Sequence, residues 1–198
     1  LSIPVKKEYD DCDLSSCSAH KGMRPVTAVH NYRGFVFVRL SEEGIGFEDF
    51  FGESLSTLDN MVMRSPQGQL KVIGQPLLHR HRCNWKMVVD NQTDTCHPMI
   101  AHESSAGEAI RLWQETGDQA VELFSPFMAS YDFFAGMGIR VWPNGHGHTG
   151  VSNSIHKAYT DIPGYWDLMV ESYGEEQARA ILDDTRHNTV YFPNLMVK

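Results

Sequence analysis

Two histidines five residues apart, with a proline directly after the first, constrain this chain more than any other feature. They close the segment Asp90-Asn91-Gln92-Thr93-Asp94-Thr95-Cys96-His97-Pro98-Met99-Ile100-Ala101-His102, thirteen residues that follow the apolar run 85–89. Carboxylates, amides and imidazoles this dense beside core sequence are costly to bury unless they pair or bind something. Asp90 and Asp94 stand at i, i+4, and Asn91, Asp94 and His97 at i, i+3, i+6, so a helix would carry them as one polar stripe. On a straight helix His97 and His102 would point about 140° apart. Pro98 disfavours helical backbone at His97 and cannot donate a backbone hydrogen bond, so a distorted turn over 97–99 is expected to let the two imidazoles converge.

Two neutral imidazoles with carboxylates are the material of a divalent iron or zinc site. One carboxylate added to the pair gives the facial arrangement of non-haem iron(II) oxygenases, with positions left open for O2 and substrate. Asp94 could instead accept a hydrogen bond from the second nitrogen of His97, fixing its tautomer and strengthening it as a ligand. The plainer reading makes either histidine a structural or surface residue, and Asp90 and Asp94 solvated helix positions or a helix cap.

The formal net charge of −8 argues against a nucleic-acid partner or an anionic membrane surface, since both select for a basic face. No apolar run is long enough to span a bilayer, and no signal peptide is visible. The four cysteines, Cys12, Cys17, Cys83 and Cys96, form no dense framework, which suggests reduced thiols in a cytoplasmic protein. The chain starts at Leu1 and stops at Lys198 inside short extended-looking runs, and is expected to be a piece of a longer polypeptide.

The hydrophobic pattern predicts a strand at 34–40 and an amphipathic helix at 47–62, carried by Phe47, Phe50, Phe51, Leu55, Leu58, Met61 and Val62. Strands are expected at 69–75 and 77–89, then a helix from about Val89. Residues 106–118 have no clear pattern. Further strands are expected at 119–124, 127–134, 137–142 and 151–159, with a Gly-rich loop at 143–150. Helices at 163–173 and 175–186 are separated by Gly174, and a last strand covers 190–197. The sum is an α+β fold, an antiparallel sheet with a few helices packed on it.

Asn84-Trp85-Lys86, followed by Asp90-Asn91-x-x-Asp94-x-x-His97-x4-His102, resembles the catalytic-domain signature of Rieske non-haem iron aromatic-ring-hydroxylating oxygenases, large (α) subunit. Tyr32-Arg33-Gly34-Phe35-Val36-Phe37 is similar to the family segment that follows the Rieske domain. Arg64-Ser65-Pro66-x-Gly68, Trp142-Pro143-Asn144-Gly145-His146 and Tyr191-Phe192-Pro193-Asn194-Leu195 fit as well, in the family's order.

The resemblance implies that His97 and His102 are two of three ligands to a mononuclear Fe(II). It implies that Asp94 is the bridging aspartate, through which electrons arrive from the Rieske cluster of a neighbouring subunit, and that Asn91 lies beside the iron. Asp94 and Asn91 thus form the catalytic set around the two ligands. The implied fold is the helix-grip, START-like domain, a curved antiparallel sheet around a long helix, incomplete at both ends. Residues 1–40 would be the tail of the Rieske domain and a connection, and 41–198 a partial catalytic domain.

The implied reaction is O2-dependent hydroxylation of an aromatic substrate, with electrons from NAD(P)H through a reductase or ferredoxin. The implied assembly is a homo-oligomer, a trimer, with or without a small β subunit. Cys96 stands where the family has tyrosine, and Asp90 where it has glutamate. The paired Cys-x-His and Cys-x-x-His ligands of a 2Fe–2S Rieske cluster are absent from this sequence, so that cluster is expected elsewhere in the parent protein. The family's third iron ligand, an aspartate, is expected beyond Lys198, which leaves this piece without turnover of its own.

Other candidates have plainer readings. His79 and His81 alternate with Arg80 and Arg82 in the expected strand and would share one face. His146 and His148 lie in the expected loop. His187 and Asn188 precede the last strand and could line a pocket, as could Phe133, Phe134, Met137 and Trp142, for which core packing is preferred. Asp183 and Asp184 are read as exposed carboxylates near a helix end. The alternative to an oxygenase is a helix-grip module binding an apolar small molecule without catalysis. A zinc hydrolase would need a general base beside the metal, and no HExxH motif is present.

Overall fold

The computed structural model describes residues 26–75, 77–117, 130–154 and 162–197. The chain divides into two compact units, Leu1–Ile45 and Gly46–Lys198. In the first, strands β1 (Ala28–Tyr32) and β2 (Phe35–Arg39) form an antiparallel hairpin in which Tyr32 pairs with Phe35. The two-residue turn needs positive φ at both positions, and Arg33 and Gly34 adopt 52° and 90°. The Asn31 carboxamide oxygen accepts the Gly34 amide at 3.1 Å, which fixes the turn. The strand expected at 34–40 is β2.

The second unit is α+β. Its four-stranded antiparallel sheet runs in the order β3 (Ile139–Trp142), β4 (His146–Thr149), β5 (His187–Tyr191), β6 (Leu195–Val197). The amphipathic stretch at 47–62 is helical as expected, but in pieces: α1 (Phe47–Phe51), a 3-10 turn over Gly52–Ser54, and α2 (Leu55–Met63). Gly52, at a φ of 50°, breaks the helix between its two apolar faces.

Helices α7 (Tyr165–Tyr173) and α8 (Glu175–Leu182) meet at Gly174, whose φ of 78° reverses the chain. They bury Met169, Ala178, Ile181 and Leu182 in one cluster, with Met63 of α2 packed against it. Side chains buried as fully as Leu58 and Met169 each contribute about 1.5–3 kcal/mol relative to exposure. Polar ties complete the joint. Asn60 donates to the Ile181 carbonyl at 2.9 Å, and the Tyr165 and Tyr173 hydroxyls donate to the carbonyls of Arg64 and Ser65.

Between these parts lie α3 (Trp85–Thr93), α4 (Pro98–Ala101), α5 (Glu103–Thr116) and α6 (Tyr131–Gly136). Helix α3 lies against β5 and β4. Among the described residues no helix is long and apolar enough to cross a membrane.

Several expectations are corrected here. Residues 69–75 and 77–84 have no regular structure, and 85–89 are helical: Asn84 caps α3 by accepting the Lys86 amide at 3.1 Å, which sets the helix start well before Val89. Residues 131–134 belong to α6, capped by Ser130, and are not strand. The Gly-rich loop expected at 143–150 contains strand β4, buried at every position. Residues 151–154 are not strand, and the rest of the run expected to 159 lies outside the described residues, as does 119–124. The patternless 106–118 falls mostly in α5.

Candidate metal centre

The backbone that carries the histidines turns twice. Helix α3 ends at Thr93, and Asp94 swings to an extended ψ of 119°. The Asp94 carboxylate then closes the turn it has opened: its Oδ1 accepts the amide of Cys96 at 2.7 Å and that of His97 at 3.3 Å. Pro98 occupies the first turn of α4, where its missing N–H costs nothing, and His102 ends that helix with φ −110° and ψ 17°. The imidazoles of His97 and His102 therefore flank one short helix, with ring centroids 5.5 Å apart at 64°.

Convergence was expected from a distortion at His97 forced by Pro98. His97 is instead in ordinary helical conformation, with φ −60° and ψ −31°. What separates the two rings is the single turn of α4, while the turn of the chain at Asp94 lies before both of them.

His97 is held on two sides. The Asn91 amide nitrogen lies 3.1 Å from Nε2. Asp94 Oδ2 lies 3.4 Å from Nδ1. That second contact has ion-pair distance but not the alignment of a hydrogen bond, so Nδ1 is buried without an aligned acceptor. The Asp94 carboxyl is held below the usual carboxylate range, first by the Cys96 amide and then, against a small cost of burial, by His97.

Beside this turn, the Cys96 thiol meets the Tyr131 hydroxyl at the start of α6, and that contact pushes the tyrosine up. Tyr131 was not anticipated from sequence. Its signal was the cap, since Ser130 before Tyr131-Asp132 is a helix start.

A metal–nitrogen bond of about 2.0–2.1 Å places two imidazoles on one ion with centroids about 5 Å apart, close to the separation found here. His97 and His102 fit two positions of such a site. Among the described residues, no group of three His, Cys, Asp or Glu side chains comes together in a way that could hold an ion. Asp90 is exposed on α3.

The other histidines divide cleanly. His79 and His81 keep their expected shared side, with rings stacked 6.2 Å apart, but on exposed irregular chain instead of a strand. His146, expected in a loop, is buried in β4. Its Nε2 donates to the Phe50 carbonyl at 2.9 Å and its Nδ1 accepts the Phe192 amide at 3.1 Å. His148 is buried in the same strand, with Nδ1 donating to the Thr149 carbonyl at 2.9 Å. Burial holds both imidazoles below their ordinary value. Gly147 between them has no room for a side chain, because a Cβ would stand 2.9 Å from the Arg140 carbonyl oxygen.

His187 is buried in β5, and Asn188 follows it with a positive φ of 22°. Asp183 is exposed at the end of α8, as expected. Asp184 is not exposed: it pairs with Arg186, and although burial opposes its charge, that guanidinium holds it below the usual range. Phe134 and Met137 are core residues, and Phe133 is half-buried. Trp142 borders a polar cavity of about 310 Å³ with Glu53, Arg140, His148, Asp184 and Arg186. None of Asn91, Asp94, His97 and His102 lines it.

No family model matches the chain. Curated proteins do. The large subunit of anthranilate 1,2-dioxygenase from Acinetobacter baylyi is 30% identical over 96% of this chain and 41% of its own length. Subunit alpha of toluate 1,2-dioxygenase from Pseudomonas putida is 28% identical over 92% of the chain and 39% of its own length.

The chain is a relative of ring-hydroxylating dioxygenase large subunits.

The large oxygenase component of a naphthalene 1,2-dioxygenase system from Pseudomonas aeruginosa extends the likeness, at 25% identity over 98% of the chain and 42% of that component. The chain spans about two-fifths of the length of these oxygenase subunits. Each of these alignments takes in more than nine-tenths of the chain, so each covers the histidine segment.

Proposed function

We propose that the protein to which this chain belongs hydroxylates an aromatic ring with O2 at a mononuclear non-haem Fe(II) site, to which His97 and His102 supply two ligands. One observation carries the reading: in a chain whose curated relatives are dioxygenase large subunits, two imidazoles five residues apart meet at 5.5 Å across α4. Iron bound there would supply the centre at which O2 is activated for attack on the ring. The third ligand in this reading is a carboxylate that the described residues do not bring to the pair.

The chain's own groups have separable tasks. His97 and His102 would each supply one ring nitrogen from the two ends of α4. Asp94 holds that turn through Oδ1 and keeps Oδ2 beside His97, so the carboxylate that fixes the ligand also faces outward, 47% exposed. That position suits the route by which electrons enter from a 2Fe–2S Rieske cluster on a neighbouring subunit. Asn91 borders the ligand on the α3 side.

The proposal carries its partners with it: a reductase or ferredoxin as electron donor, a homo-oligomer such as a trimer that brings the neighbour's cluster to Asp94, and a small β subunit in some assemblies. It also carries the helix-grip fold for residues 41–198 and a Rieske-domain tail and connection for residues 1–40. The test is bound iron and O2-dependent ring hydroxylation in the intact protein, compared with His97→Ala and His102→Ala. Mononuclear iron and hydroxylation are expected to be lost in both variants. Iron retained at wild-type levels in both would end the reading.

A further inference from the structure

We propose that Asn144-Gly145 is a guarded deamidation site: docking of α1 on the turn between β3 and β4 holds the Asn144 carboxamide, and undocking opens it to a one-way conversion to aspartate or isoaspartate.

The chemistry needs only water. The Gly145 backbone nitrogen attacks Cγ of Asn144, and glycine, with no Cβ, hinders that attack least. An N–Cγ bond forms, the Cγ–Nδ2 bond breaks, and Nδ2 leaves as ammonia with the proton of the Gly145 amide. Water then opens the succinimide. Cleavage at Cγ leaves aspartate, and cleavage at the backbone carbonyl leaves isoaspartate.

The turn selects both residues of this dipeptide. Asn144 sits in left-handed backbone at φ 64° and ψ 17°, which asparagine tolerates better than most side chains. A Cβ on Gly145 would stand 3.3 Å from Cβ of Phe192, at a φ of 83°. Both residues are exposed, so water reaches them.

The guard is α1. Nδ2 of Asn144 lies 2.8 Å from the Phe50 carbonyl oxygen and 3.4 Å from that of Asp49. Carbonyl oxygens only accept, so the nitrogen of the carboxamide must face them. While these bonds stand, Cγ is not free to turn onto the Gly145 nitrogen. His146 donates to the same Phe50 carbonyl at 2.9 Å, so one contact anchors both side chains to α1. After conversion, a carboxylate that only accepts meets two carbonyl oxygens, and redocking is opposed. One opening is thereby recorded and the next made easier.

The test incubates the intact protein in mildly alkaline buffer beside the free peptide of residues 140–148, with isoaspartate and aspartate at position 144 read by peptide mapping. Asn144 is expected to convert at least about 10-fold more slowly in the folded protein than in the peptide, because two hydrogen bonds must open first. Urea below the unfolding transition is expected to speed conversion in the protein. Asn144→Asp is expected to quicken hydrogen exchange of the α1 amides and to leave those of α7 and α8 unchanged.

Equal rates in protein and peptide would show that nothing guards the site. Conversion indifferent to urea, or α1 exchange unaltered in Asn144→Asp, would show that docking of α1 is not the guard. The first two measurements use the wild type and stand even where the variant fails to fold.

Discussion

Two of the chain's close pairs of histidines read alike in sequence and sit in different surroundings. His146 and His148 alternate through β4 and are buried, and His146 has spent both nitrogens on backbone groups. His97 and His102 flank a short exposed helix. The contacts that hold His97 are one side-chain amide and one poorly aligned carboxylate. Count and spacing do not separate a ligand from a strut. What separates His146 from His97 is burial and whether the partners are backbone groups or side chains.

Stability should part the pairs most strongly. His146→Ala leaves the Phe192 amide without its acceptor and opens a void, while the Phe50 carbonyl keeps the Asn144 amide at 2.8 Å, so urea denaturation is expected to show a loss of about 2–4 kcal/mol. His97→Ala is expected to cost less than about 1 kcal/mol by the same measurement. Equal losses would erase the distinction between strut and ligand.

Acid should part them next. An unfolded histidine binds its proton near pH 6.5, whereas His146 and His148 resist protonation while folded because burial depresses both. Below about pH 6.5 the unfolded chain therefore holds more protons. Stability is unaffected above that pH and falls beneath it, by up to about 1.4 kcal/mol per pH unit for each histidine until its depressed value is reached. Urea midpoints from pH 7.5 to 5 should show the decline, and it should be shallower in His148→Gln. A decline equally steep in His148→Gln and in His146→Gln would place the titrating group elsewhere.

The smallest effect sharpens the role of Asp94. Asp94→Asn keeps an acceptor for the Cys96 and His97 amides and is expected to lower the melting free energy by less than about 0.5 kcal/mol. Asp94→Ala removes both hydrogen bonds and should cost about 1 kcal/mol. Matching losses would show that charge toward His97, not closure of the turn, is what the carboxylate supplies to folding.

Regions whose periodicity reports their own burial were legible. The stretch from Phe47 to Val62 and the pair of helices around Gly174 bury the residues their spacing selects, because each packs one apolar stripe on a neighbour. The run 77–89 was misread because its Leu, Val and His content looks like strand, while the Asn84 cap that starts α3 is a single polar residue. Strand β4 was hidden for the opposite reason. His-Gly-His-Thr has no apolar alternation, and its burial is secured by hydrogen bonds that composition does not show. At the candidate site the residues were legible and the geometry only half so. The approach of His97 and His102 was expected, but its form was not: the one turn of α4 lies between the rings, and the sharp turn of the chain comes earlier, at Asp94, whose carboxylate accepts the amides that follow it.

The two bonds of His146 also bear on the order of folding. They join positions 96 and 46 residues apart in the chain, to Phe50 on one side and Phe192 on the other. Contacts so distant in sequence must first overcome the entropy of closing long loops, while the Arg33-Gly34 hairpin and the helices around Gly174 form from neighbours. The imidazole acts as a latch that closes late. Until it does, β4 is a strand with its polar edges unpaid, so a nascent chain is most exposed to proteolysis and misassembly between the synthesis of Phe50 and the arrival of Phe192.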